Sequence, residues 1–183
     1  HNCEKSNLKF LVTVKKNLIL LGMMGVGKST LGKMVAKKLG LKFIDTDHNI
    51  EKKCSMKIAD IFKKRGEVFF RLQEEKEVLE SLKQKESIIA LGGGAFMNKN
   101  LRNEILKSSK SIWLDINLKI LNKRIKWNKR RPLLNNEENS YKIIKKIYEE
   151  RKNIYKLAEY KLNCNNLNKE NIITKIISFY EKK

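Results

Sequence analysis

The chain has 183 residues, 41% of them hydrophobic and 33% charged, enough for one domain with a sizeable core, and no apolar run nears the roughly 20 residues of a membrane span. A formal net charge of +21 admits two readings, a nucleic-acid binder or a chain whose helix faces carry solvated lysine. The basic residues run through almost every segment with no dense block, and 34 lysines stand against seven arginines, so the second reading is favoured, with no specific nucleic-acid partner and no membrane association.

Three cysteines (Cys3, Cys54, Cys164) form no C-x-x-C pair, so neither a disulfide framework nor a zinc site is indicated. With no long apolar signal core at the start, a cytoplasmic protein is expected.

In chain order, residues 1–16 read as a polar lead-in. The run Leu18–Leu21 predicts a buried strand that breaks into Gly22-Met23-Met24-Gly25-Val26-Gly27-Lys28-Ser29-Thr30, a full match to the P-loop pattern. The amphipathic run Leu31–Leu39 then predicts a helix, with Gly40 as its C-cap. Leu41–Asp45 predicts a second strand. Helical patterns follow at Ile50–Cys54, Ile58–Lys64 and, past Gly66, from Glu67 to Lys85. Ser87–Leu91 reads as a third strand, closed by Gly92-Gly93-Gly94. A helix at Leu101–Lys107, a strand at Ser111–Leu114 and a helix at Leu118–Ile125 lead into a basic stretch, 126–136, holding the only proline. A long helix over Ser140–Tyr160, a strand at Tyr160–Cys164 and a closing helix at Lys169–Tyr180 complete the chain.

Strands alternating with helices predict a single α/β domain over 1–183, three layers with a five-stranded parallel sheet flanked by helices. Ligands of such sheets bind at the carboxyl ends of the strands, so the P-loop, Asp45/Asp47 and the triglycine are expected to share one rim. The P-loop glycines allow backbone N–H groups to curl around phosphate, Lys28 reaches the β- and γ-phosphates, and the Ser29 hydroxyl can ligate Mg²⁺. A nucleoside triphosphate is therefore expected.

Asp45 and Asp47 are read as lying at a strand end with both carboxylates aimed to one side, one for Mg²⁺ and one for a proton or substrate hydroxyls; Asp47 as a helix N-cap is the alternative. The triglycine marks either a close approach to a ligand or a flexible turn. Arg71 and Glu74 are either a surface pair or a carboxylate orienting a fork that meets a substrate anion, with Arg151 as a second fork. The 126–136 stretch is either an exposed loop or a lid that excludes water and carries Arg131 to the γ-phosphate, with Arg124 at its entry.

Taken together, Gly22–Thr30, Phe43-Ile44-Asp45-Thr46-Asp47, Gly66-Glu67 with Phe70-Arg71 and Glu74, Gly92-Gly93-Gly94, Arg131-Pro132-Leu133-Leu134, and Arg151 with Tyr155 resemble the shikimate kinase family over nearly the whole chain. The resemblance implies a P-loop kinase fold and transfer of the ATP γ-phosphate to the 3-hydroxyl of shikimate, with Mg²⁺, in a monomer. It implies ATP contacts from Gly25, Val26, Gly27, Lys28, Ser29, Thr30, Arg124 and Arg131, and metal contacts from Ser29 and Asp45. It places shikimate on Asp47, Arg71, Gly93, Gly94 and Arg151, and gives catalytic roles to Lys28, Asp47 and Arg131. Four of the seven arginines fall on these positions. In place of an arginine that many relatives carry after the last strand, this chain offers Asn165, Asn166 and Asn168.

Overall fold

Strands that are apolar along their whole length cannot leave one sheet face wet, so they demand cover on both sides. The computed structural model, which describes residues 15–127 and 137–182, meets that demand. Residues 1–14 of the expected lead-in and 128–136 of the expected lid, Arg131 included, lie outside the described residues.

Five strands, β1 (Asn17–Leu21), β2 (Lys42–Asp45), β3 (Ser87–Ala90), β4 (Ser109–Asp115) and β5 (Tyr160–Asn163), pair in the order β2-β3-β1-β4-β5, all parallel. Leu18 to Leu21 in central β1 are buried on both faces, which is why that run shows no alternation. Helices α1 (Lys28–Leu39), α2 (Thr46–Cys54), α3 (Ile58–Leu82), α4 (Lys99–Ser108), α5 (Leu118–Trp127), α6 (Glu137–Tyr155) and α7 (Lys169–Glu181) cover the sheet and its rim. None among the described residues is long and apolar enough to cross a membrane. The strand order reverses around β1, so its carboxyl end is the switch point where ligands bind, and the P-loop begins there.

The predicted elements all form, with shifted edges. The long helix stops at Tyr155 rather than Tyr160, and Ala95–Met97 make a short 3₁₀ turn that periodicity does not reveal. At Gly66, α3 takes φ 83° and ψ 168°, so two helical pieces meet there, as the sequence break suggests. A satellite core of Ile50, Ile61 and Phe70, flanked by Met56, Ile58 and Phe69, joins α2 to both pieces of α3 on either side of Gly66, separate from the main core around the sheet.

Asn17 sits at the other rim of the sheet. Its buried side chain donates to the carbonyls of Leu82 (3.3 Å) and Gln84 (2.7 Å) and accepts from the Ser87 N–H (3.0 Å), tying the end of α3 to the start of β3. Asn17→Leu fills the same space but strands these groups, at about 1–3 kcal/mol for each one left buried and unpaired. Urea unfolding should show a loss of more than about 2 kcal/mol.

Candidate active site

The site begins where β1 runs out. A Cβ on Gly22 would stand 2.5 Å from the Leu114 carbonyl oxygen, so the turn can hug β4 only with glycine. Gly27, at φ 107°, is the N-cap of α1 in a conformation that L side chains avoid. It offers no side-chain cap and no acidic residue follows in the first turn, which leaves the amides of that turn to an anion. The Lys28 ammonium is buried and donates to the carbonyls of Gly22 (2.8 Å) and Met23 (2.9 Å), so it is held over the loop. From α5, Arg124 donates to the Val26 carbonyl at 3.3 Å, which brings a second cation to the loop.

Ser29, exposed on the first turn of α1 beside Thr30, donates its hydroxyl to Asp45 Oδ2 at 2.5 Å. The other Asp45 oxygen accepts from the His48 N–H at 3.1 Å and caps α2. This corrects the strand-alternation reading of Asp45 and Asp47: β2 ends at Asp45 and the chain turns into α2 at Thr46. Asp45 is the cap, and Asp47 projects from the first helical turn.

Hard oxygen donors suit Mg²⁺, which binds through one or two carboxylates together with phosphates and water. The Ser29–Asp45 pair fits that habit. No group of three His, Cys, Asp or Glu among the described residues could hold a metal by itself.

Beyond β3 lie the three glycines, and each α-carbon faces a different charged side chain. A Cβ on Gly92 would collide with Asp47 Oδ1 and stand 3.1 Å from Glu74 Oε1. On Gly93 it would meet Arg151 Nη1 at 3.1 Å, and on Gly94 it would meet Arg71 Nη1 at 2.7 Å. The turn is therefore a close approach and not a flexible hinge. Gly93 also borders the P-loop, with Met24 N 3.6 Å and Gly22 O 3.7 Å from the same point. The Asp47, Arg71 and Arg151 side chains thus converge beside the phosphate loop.

The Arg71–Glu74 bond is 2.6 Å long and Glu74 is 3% exposed, which removes the surface-pair reading. Burial pushes the Glu74 carboxyl above its ordinary range, against the opposing pull of Arg71 and Arg151. For Arg71, burial is the largest single influence and works against the charge, but the bonds and charges of Glu74 and Glu67 together outweigh it and hold the guanidinium above its ordinary value. The exposed Glu67 lies on the other edge of the same fork at 3.4 Å.

Two contributors stand inside the sequence motifs without a role that sequence assigns them. Thr46, wholly buried, donates to the Ala90 carbonyl (3.3 Å) and accepts from the Gly92 N–H (3.1 Å), locking the start of α2 to the triglycine. Its only sequence signal is its place between the two aspartates. Tyr155 donates to the Gly93 carbonyl at 2.5 Å. In the loop after β5, Asn165 accepts from the Asn117 N–H (2.7 Å) and Asn168 caps α7, so both serve local structure.

A family model described as shikimate kinase matches residues 24–181. A shikimate kinase of Sulfurihydrogenibium sp. (strain YO3AOP1) is 40% identical over 163 residues, covering 89% of this chain and 96% of that one. Among solved structures, the shikimate kinase from Acinetobacter baumannii in complex with shikimate superposes with a TM-score of 0.84 at 32% identity, covering 90% of this chain and 92% of that one. The shikimate kinase from Bacteroides thetaiotaomicron gives 0.86 at 29% identity, with 91% and 99% covered.

Gly92→Ala drives a methyl group into Asp47 Oδ1. Displacements of this size cost about a hundredfold in turnover, so kcat should fall by that order while ATP affinity holds. Glu74 also sets a pH dependence. It keeps a proton in the folded protein where the unfolded chain has lost it, so its stabilising contribution is full below the ordinary pKa of about 4.3 and is lost as pH rises through the raised folded value. Glu74→Gln should flatten the slope of unfolding free energy from about pH 4 upward, measured by urea titration against the parent chain.

Proposed function

Because the chain belongs to the shikimate kinase family, the ATP- and Mg²⁺-dependent kinases that phosphorylate shikimate on the route to the aromatic amino acids, we propose that the strand-end cluster is where its two substrates meet. The observation that carries this assignment is the position of Gly93, in contact range of both Arg151 and the P-loop backbone at Met24. The acceptor and the phosphate donor are then held by adjoining stretches of main chain, which is the requirement for in-line transfer.

The roles divide by chemistry. Lys28 and the first-turn amides of α1 hold the phosphates. The Ser29 hydroxyl and the Asp45 carboxylate would hold Mg²⁺, which when bound would neutralise phosphate charge. Asp47 takes the proton of the attacking 3-hydroxyl, a step that a carboxylate within hydrogen-bond reach performs without rearrangement. Arg71, braced by Glu74, and Arg151 grip the shikimate carboxylate with two planar forks, and the backbone of Gly93–Gly94 serves the ring hydroxyls. Arg124, and Arg131 from the 126–136 stretch, bring positive charge to the transferring group. A neutral polyol would not call for two forks, so the anionic acceptor is the better fit to this cluster.

ADP release from Mg-ATP should depend on shikimate and not respond to gluconate. Asp47→Asn keeps the shape and removes the charge, so kcat should drop by at least about a hundredfold with ATP binding retained. Arg151→Lys should raise the shikimate KM about tenfold or more and leave the ATP KM in place. Near-normal turnover in the first variant or an unchanged shikimate KM in the second removes the corresponding role.

A further inference from the structure

Tyr155 closes α6 and is fully buried, its ring centroid 5.7 Å from that of Trp113. Its hydroxyl donates to the Gly93 carbonyl at 2.5 Å. One helical turn earlier, on the same face, stands Arg151, whose Nη1 lies 3.1 Å from the point where Gly93 would carry a Cβ. Burial pushes the phenol pKa up, against the opposing pull of Arg151, so the group is a neutral donor over the working pH range.

The peptide unit joining Gly93 to Gly94 is planar and trans, so its C=O and N–H point in opposite directions. With glycine on both sides, no side chain restrains the swivel of that plane. A partner on the carbonyl oxygen therefore aims the Gly94 N–H. Within the turn, Ala95 and Met97 spend their N–H groups on the Gly92 and Gly94 carbonyls, whereas the Gly94 N–H has no such bond among the described residues.

The geometry points to Tyr155 as a positioning residue for the acceptor: its hydroxyl sets the direction of the Gly94 N–H and steadies Arg151, so that both donors face the same molecule. This rests on the assignment of shikimate to Gly93, Gly94 and Arg151. A purely structural tie between α6 and the turn has a different signature, since its loss lowers thermal stability and leaves substrate affinities alone.

Tyr155→Phe keeps the ring and its packing on Trp113 and removes only the hydroxyl. The shikimate KM should rise about tenfold, with the ATP KM unchanged within about twofold. An unchanged shikimate KM overturns the proposal, with or without a fall in Tm, and so does an equal rise in both KM values. Two mono-deoxy shikimates that keep the reacting hydroxyl sharpen the test. The penalty of Tyr155→Phe should shrink for the analogue lacking the hydroxyl that meets the Gly94 N–H, leaving only the share carried through Arg151, and persist in full for the other. Equal penalties for both overturn the proposal. The assignment beneath it fails separately, through Arg151→Lys leaving the shikimate KM unchanged.

Discussion

Three consecutive α-carbons without side chains are the constraint on which the rest of the site depends. Gly92, Gly93 and Gly94 each give up their Cβ volume to a different charged group, so four side chains from three helices pack against one stretch of backbone. No arrangement of larger residues would bring Asp47, Glu74, Arg151 and Arg71 so near to one another, because each would be held off by a methyl or more. The helices bearing these groups are fixed in turn by polar ties to the same segment. Thr46 fastens α2 to it and Tyr155 fastens α6 to it.

The phosphate side works by a related economy of bulk. β1 is the central strand, buried along its whole length between β3 and β4, so both the P-loop and the triglycine leave the sheet side by side. In the proposed assignment, backbone amides serve one substrate and backbone plus arginine forks the other, from adjoining stretches of chain. Buried charge in this space is tolerated because it is paired. Glu74 lies inside the protein at the cost of a raised pKa, and Arg71 keeps its charge through it.

Much of this is legible in the sequence because the signals are local. Leu18–Leu21 read as a buried strand from its uninterrupted apolar run, and Gly22, Gly27 and Lys28 carry their chemistry in their spacing. The scarcity of arginine made Arg71 and Arg151 conspicuous before their positions were known. What stayed hidden depended on distance through space. No periodicity says that Glu74 is buried while its neighbour Arg71 is half-exposed, since that follows from how α3 lies on the triglycine. The alternation rule failed at Asp47 because it presumes a continuing strand, and the helix started one residue after Asp45. Thr46 lies between the two aspartates, but its role stayed hidden, since a small hydroxyl becomes a clasp only when another segment supplies an N–H and a C=O.

The satellite core has a consequence for how such an enzyme loosens. Ile50, Ile61 and Phe70 pack among themselves and not into the cluster around the sheet, so α2 and the first half of α3 rest on apolar contacts of their own. Substitutions that reshape this lobe disturb few of the contacts that hold the P-loop in place. The two lobes can therefore loosen independently, the one bearing Asp47 and Arg71 giving way while the phosphate loop keeps its own core.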